Sequence, residues 1–324
     1  MSHREGVKPL NTFGRYLRRK FGERVRKVPI GLSGFTCPNI DGTVARGGCT
    51  FCLNESFSPN LAKNAEKVFL NLHSSENPLL QKQLLELRTQ FTTTSRLFRE
   101  REGVRRYLVY FQAFTNTYAP FETLKALYEE ALSYPGVVGL SIGTRSDSVT
   151  PETLDYLAEL SQKYEIWIEY GIQSIYDETL ERINRGHDAL NVERAIKEAK
   201  ARGLNVCGHL IFGLPGENRE MMLDSARAAY DWGIDSIKYH PLYVVKNTLL
   251  ANEYRRGEFT PITFDDYAEV LADALELKPE SITVQRLTAG IDDDTLLAPQ
   301  WCGWSKNRMM AGLREKLAKR NILI

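Results

Sequence analysis

Residues 137–175 read VVGLSIGTRSDSVTPETLDYLAELSQKYEIWIEYGIQSI, and their reading decides the fold. An apolar, β-branched run at 137–142 and a second at 165–170 bracket a helix-period segment at 151–163. Thr150 is placed to cap that helix, and Pro151 suits its first turn, where a missing amide donor costs little. A strand, a crossover helix and a second strand form the unit of a parallel sheet. The same alternation extends in both directions. Strands are expected at 28–32, 107–111, 205–212 and 236–240, and helices at 78–100, 120–133, 190–202 and 219–232, with Gly203 and Gly233 as left-handed stops. Six consecutive units predict an α/β chain built as a partial (β/α)6 TIM-type barrel over 28–244. A basic N-terminal extension at 1–27 precedes it. An α-rich C-terminal extension at 245–324, with helical patches around 264–277 and 306–319, is expected to cover the rim.

The chain has 324 residues, of which 43% are hydrophobic and 26% charged, proportions of a globular protein rather than a disordered one. No run approaches the roughly 18 apolar residues of a membrane span, and the first residues lack the apolar centre of a secretory signal, so a cytoplasmic location is expected. The formal charge of +1 hides an uneven distribution. Residues 1–30 carry nine basic and two acidic side chains, and residues 300–324 carry six and one, leaving 31–299 at −11. Basic clusters of this kind can attract phosphates, which opens nucleic acid as a partner. Asp292, Asp293 and Asp294 read as a solvated turn.

Every unusual motif follows a strand end, where such barrels keep their reactive groups. CPNIDGTVARGGCTFC (37–52) follows the first expected strand, FQAFTNTY (111–118) the second, GTRSDS (143–148) the third, GIQS (171–174) the fourth and GLPGE (213–217) the fifth. The first holds Cys37, Cys49 and Cys52, with eleven residues in the first interval and two in the second. Gly42, Gly47 and Gly48 let the loop wrap a bulky core, and soft thiolates suit zinc or an iron–sulfur cluster. Structural zinc takes four protein ligands, so that alternative must recruit a distant group such as His73 or Cys302. Three thiolates on a four-iron cubane instead leave one iron open to an outside ligand.

The long cysteine spacing, Phe51 before the third cysteine, the NRGH segment at 184–187 and HLIFGLPGE at 209–217 together resemble the radical S-adenosylmethionine superfamily, and within it the Elp3-like branch called the YhcC family. The resemblance spans nearly the whole chain. It implies a [4Fe-4S] cluster on Cys37, Cys49 and Cys52 whose open iron takes the amino and carboxylate groups of S-adenosylmethionine. It further implies that Phe51 packs near the adenine, that Arg185 pairs with the methionine carboxylate, and that Gly213 and Gly216 bring backbone groups to the adenine edge. Gln112 and Thr115 stand where many relatives have a glycine-rich segment that contacts the methionine amino group, a departure from the family pattern. Gln173 offers an amide suited to a ribose hydroxyl.

The chemistry so implied is reductive cleavage of S-adenosylmethionine and removal of a substrate hydrogen, fed by an electron donor such as flavodoxin or ferredoxin. Elp3-like kinship makes tRNA, at a wobble uridine, the first substrate to consider. A small metabolite is the second. A non-catalytic iron–sulfur protein that binds RNA or senses redox state is the rival from another class. Tyr118, Arg145, Asp147, Glu169, His187, His209 and His240 are candidates for contact with substrate, the last two competing with a role as inward-facing barrel residues. Cys207 reads as a packing residue. Cys302, in LAPQWC, is a candidate catalytic thiol brought over the rim, against the alternative of a buried structural cysteine.

Overall fold

In the computed structural model, residues 8–53, 70, 76–291 and 293–324 are described; His73, Asp292 and the start of the basic N-terminus lie outside them. Seven strands form one wholly parallel sheet in sequential order: β1 (Val25–Ile30), β2 (Arg106–Phe111), β3 (Val137–Thr144), β4 (Glu165–Gln173), β5 (Asn205–Phe212), β6 (Ser236–Pro241) and β7 (Thr283–Arg286). The sheet is strongly curled, because side chains of its two end strands meet: Lys27 Nζ on β1 donates to Gln285 Oε1 on β7. Lys238 Nζ on β6 likewise reaches the Tyr110 hydroxyl on β2 at 3.1 Å. This is a partial barrel of the kind expected, with one strand more than six.

The expected helices form with small shifts at their ends: Leu80–Glu102, Phe121–Ser133, Pro151–Ser161, Ala189–Ala201, Arg219–Asp231, Phe264–Leu277 and Lys306–Ala318. Thr150 Oγ1 accepts the Thr153 amide at 3.1 Å, so the cap forms as read. Gly203 and Gly233 take φ +76° and +90°. Their apolar faces bury the outward residues of the strands, Val28, Val109, Leu140, Ile168, Val206 and Ile237 among them.

The barrel's lower end is plugged by α1 (Phe13–Phe21). Phe13 meets Trp167 edge-on at 5.0 Å between ring centroids, and Tyr16 donates to Glu165 at 2.7 Å. Here the basic N-terminus finds its partners. Lys20 pairs with Glu165 at 2.5 Å, Arg19 with Asn11 at 2.9 Å, Arg24 with Glu102 at 2.9 Å, and Arg15 donates to the Leu10 carbonyl at 2.6 Å. The basic C-terminal segment is spent similarly, Arg320 on Glu276 at 2.6 Å and Lys316 on Asp265 at 3.0 Å. Lys20, Arg24 and Arg320 are therefore neutralised within the fold, at the end of the barrel away from the motif-bearing loops.

Candidate active site

Strand alternation sends Tyr110, Gln112, Gly143, Glu169, Gly171, Gln173, His209, Ile211 and His240 inward. Together with the 37–52 loop they line one cavity of about 250 Å³ at the C-terminal ends of the strands. Cys37, Cys49, Cys52, Phe51, Gln112, Thr115, Gln173 and Arg185 all face it, as do Arg145, Glu169, His209 and His240. Gly213 does not: its amide is taken by Met222 Sδ at 3.1 Å, and a Cβ there would stand 2.8 Å from Ile262. Tyr118, Asp147 and His187 also lie outside the lining. Cys302 is fully buried among Trp301, Met309 and Leu313, its thiol pushed up by burial, and it does not reach the cavity. The structure thus places it as the buried cysteine of the two alternatives.

The cysteine loop is tied to the NRGH segment by one side chain. Asn39 Nδ2 donates to the Asn184 and Arg185 carbonyls and lies 3.7 Å from Cys49 Sγ. Arg185 is buried; its Nη2 donates to the Gly171 carbonyl at 2.8 Å and its Nη1 lies 3.8 Å from Cys49 Sγ. Burial raises the Cys52 thiol far above its usual range, and the neighbouring Cys49 and Cys37 sulfurs push the same way. Three thiols crowded at one wall lose that repulsion when they share a cation.

Polar groups left without partners show what else the wall accepts. Arg145 Nη1, Arg185 Nε and His240 Nε2 are buried and make no hydrogen bond among the described residues. Arg145 spends its other nitrogens on Asp147, at 2.8 and 2.6 Å. Unmet buried donors are costly, and in an active-site wall they await a ligand. Backbone strain falls in the same place: Ala113, Phe114 and Gln173 take φ +80°, +57° and +69°, a region that non-glycine residues enter at a cost of about 1–3 kcal/mol. Gly171 leaves a needed gap, since a Cβ there would stand 2.6 Å from Gln173 Nε2 and 2.8 Å from Arg185 Nη2.

Behind this wall lies a charged layer that the sequence reading only partly anticipated. Glu169, fully buried, accepts from Lys27 and Ser141 on Oε1 and from Lys238 and His209 on Oε2, the last at 2.8 Å. Burial opposes its ionisation, but Lys238 and Lys27 overcome it and hold the carboxyl well below the usual range. Burial lowers Lys27 to about 8, against the pull of Glu169. Glu169, Cys207 and His209 cluster closely enough to suggest a metal, yet the carboxylate is already bound by two ammonium groups, and burial pushes the Cys207 thiol up to about 12. Cations at that position exclude a further one.

The site's histidines make folding acid-sensitive. Burial and Lys238 hold His209 down to about 4, and burial with Arg185 and Arg145 holds His187 down to about 3. Because the folded-state values lie below the ordinary 6.5, the unfolded chain binds more protons in this window, so stability falls as pH drops below about 6.5. His209 alone accounts for about 3 kcal/mol by pH 4. The urea midpoint should fall steeply between pH 7 and 4.5; a flat midpoint would contradict this.

Comparison with known proteins agrees with this geometry. Residues 42–229 match the family described as the Radical SAM superfamily, and 234–319 match the Radical_SAM C-terminal domain. The chain belongs to the radical SAM superfamily. It is 38% identical to Protein YhcC of Escherichia coli K12, over 91% of this chain and 88% of that one. It is 35% identical to YtqA of Bacillus subtilis, over 97% and 91%. A tRNA uridine(34) acetyltransferase of Methanocaldococcus infernus is 31% identical over 48% of this chain and 29% of its own length. Among solved structures, the archaeal Elp3 of Methanocaldococcus infernus shares the fold, with a TM-score of 0.60 at 19% identity over 92% of this chain and 63% of that one. As a radical SAM enzyme the chain uses a [4Fe-4S] cluster and S-adenosylmethionine. No helix among the described residues is long and apolar enough to cross a membrane.

Proposed function

We propose that this radical SAM enzyme removes a hydrogen atom from a substrate held in the barrel mouth, and that the substrate is a tRNA wobble uridine. The observation that carries the first part is the meeting, on one cavity, of three cysteine sulfurs and the unpartnered nitrogens of Arg145 and Arg185. Cys37, Cys49 and Cys52 would hold the cluster, leaving one iron without a protein ligand. Arg185 would take the methionine carboxylate through Nε, its Nη2 being fixed on Gly171, and Arg145 adds a second donor. Gln173, held in a strained backbone, would take the ribose, and Phe51, packed beside Leu180 and Leu242, the adenine. Bound there, the cluster and S-adenosylmethionine supply an electron and a carbon radical able to take hydrogen. The protein's contribution is alignment and exclusion of water, which the walled cavity favours.

Support for tRNA comes from the similarity to the tRNA uridine(34) acetyltransferase, which covers about half of this chain. The basic termini add less than their charge suggests, since Lys20, Arg24, Arg26, Lys27, Lys316 and Arg320 are engaged in ion pairs within the fold. A flavodoxin or ferredoxin would supply the electron. The test is to incubate reduced, cluster-loaded protein with tRNA from a strain deleted for this gene and analyse the nucleosides by mass spectrometry. A changed wobble uridine, with 5′-deoxyadenosine formed in step, is the expected result. Unchanged tRNA with unstimulated 5′-deoxyadenosine would refute the tRNA assignment. A small substrate is the second reading, favoured by the polar inner end of the cavity.

A further inference from the structure

The cavity has two ends of different character. The outer end holds the cysteines, Arg145 and Arg185. Deeper along the strands the lining is formed by Tyr110, Glu169, His209 and His240, with Arg286 beside them and Tyr243 between Arg286 and Cys52. Glu169 is the one carboxylate there, and both its oxygens are covered by Lys27, Ser141, Lys238 and His209. Behind the lining Lys27 and Lys238 both pair with Glu169, so with Arg286 on the lining this region holds three cations and one anion, Lys238 being only 3% exposed. The Arg286 guanidinium makes no hydrogen bond or ion pair among the described residues, so it is available to the cavity it lines. His240 Nε2 is buried without a partner. The His240 ring faces His209 at 5.9 Å between centroids, and His209 is committed to Glu169.

We propose that the inner end is an oxyanion subsite, in which Arg286 and His240 hold a carboxylate or phosphate of the substrate opposite the cysteine wall. Three features converge on that ligand chemistry. The excess positive charge of Lys27 and Lys238 lies buried behind the lining, where it favours an anion over a cation, and Arg286 stands at the exposed edge of the same end. The free groups are donors: a planar guanidinium fork, which matches the two oxygens of a carboxylate or phosphate, and an imidazole nitrogen whose tautomer is not fixed by any other bond. The local acceptor, Glu169, is already saturated, so an incoming anion meets no bare carboxylate. The role as a substrate anchor rests on the proposed hydrogen abstraction; the anion affinity does not.

The test is a thermal-melt titration of cluster-loaded protein, saturated with S-adenosylmethionine, using sodium acetate and sodium phosphate at an ionic strength fixed with sodium chloride. Acetamide serves as the uncharged mimic of acetate. A saturable rise in midpoint is expected with acetate, phosphate or both, and none with acetamide; the better of the two anions identifies the substrate group. Arg286→Gln, an exposed position, should raise the half-saturating concentration about tenfold or more, and His240→Gln should raise it in the same direction. A rise that does not saturate, that persists in Arg286→Gln, that acetamide reproduces, or that S-adenosylmethionine abolishes would overturn the subsite. The two proposals fail separately. Wild-type protein that forms 5′-deoxyadenosine without Arg286-dependent saturation defeats the subsite alone; saturation without 5′-deoxyadenosine defeats the activity alone.

Discussion

Glu169→Gln should lower the unfolding free energy by about 3–5 kcal/mol, measured as a reduced urea midpoint at pH 7.5, because it strands Lys27 and Lys238 in the barrel interior without a counter-charge. The substitution keeps the shape and the hydrogen-bonding capacity toward Ser141 while removing the charge, so packing loss does not account for the effect. Its size follows from burial: Glu169 is fully enclosed and Lys238 nearly so. The two lysines also stack on the ring of Tyr110, at 4.6 and 4.3 Å from its centroid, an arrangement that eases their burial without replacing the carboxylate. The triple change Lys27→Met, Glu169→Gln, Lys238→Met should recover most of the loss, since removing a whole buried ion network is far less costly than breaking it. A single-variant effect below about 1 kcal/mol would mean that the layer is hydrated and the charges screened.

Serine at any one of Cys37, Cys49 or Cys52 should abolish stable cluster binding and reduce 5′-deoxyadenosine formation by more than about a thousandfold, the equivalent of roughly 4 kcal/mol in the barrier. Iron and sulfide analysis of each anaerobically reconstituted variant reads the first effect, and chromatography the second. Cys207→Ala and Cys302→Ala are the controls. Both cysteines are buried away from the three-sulfur wall, so these variants should lose stability and keep iron. Full iron in Cys49→Ser, or loss of iron in Cys302→Ala, would reassign the ligands.

What the sequence made legible, and what it hid, follows from the barrel's two-sided strands. Outward residues such as Val109, Leu140 and Ile168 form apolar runs, and the crossover helices carry recognisable caps and stops, so the alternation could be read. The inward residues of the middle layer are polar, and there the pattern inverted. Lys27 looked like part of a basic extension, yet it sits inside the barrel on β1, which begins at Val25 rather than at residue 28. Strand β7, Thr283–Arg286, is four residues long and sends Gln285 inward, so Ile282 and Val284 were too short an apolar signal to mark it and the segment read as part of an α-rich extension. Its register is set by β6, with Ser236 beside Thr283. The site's outer end was legible because three cysteines, an arginine and an aromatic occur at telling intervals after strand ends. Its inner end depends on Tyr110 and Arg286 on the lining and on Lys238 behind it, which no local motif announces and only the curl of the sheet brings together. The basic termini were read as a surface that could attract phosphates; the fold shows what the sequence hid, that Glu165, Glu102 and Glu276 neutralise Lys20, Arg24 and Arg320 among them.

The central proposal is that the cysteine wall and the arginines beside it make an active centre. The most direct measurement is anaerobic reconstitution with iron and sulfide, followed by dithionite and S-adenosylmethionine and assay for 5′-deoxyadenosine and methionine. A brown protein that yields both in equal amounts is the predicted result. A protein that holds four irons and four sulfides on Cys37, Cys49 and Cys52, yet neither binds S-adenosylmethionine nor cleaves it, would contradict the account.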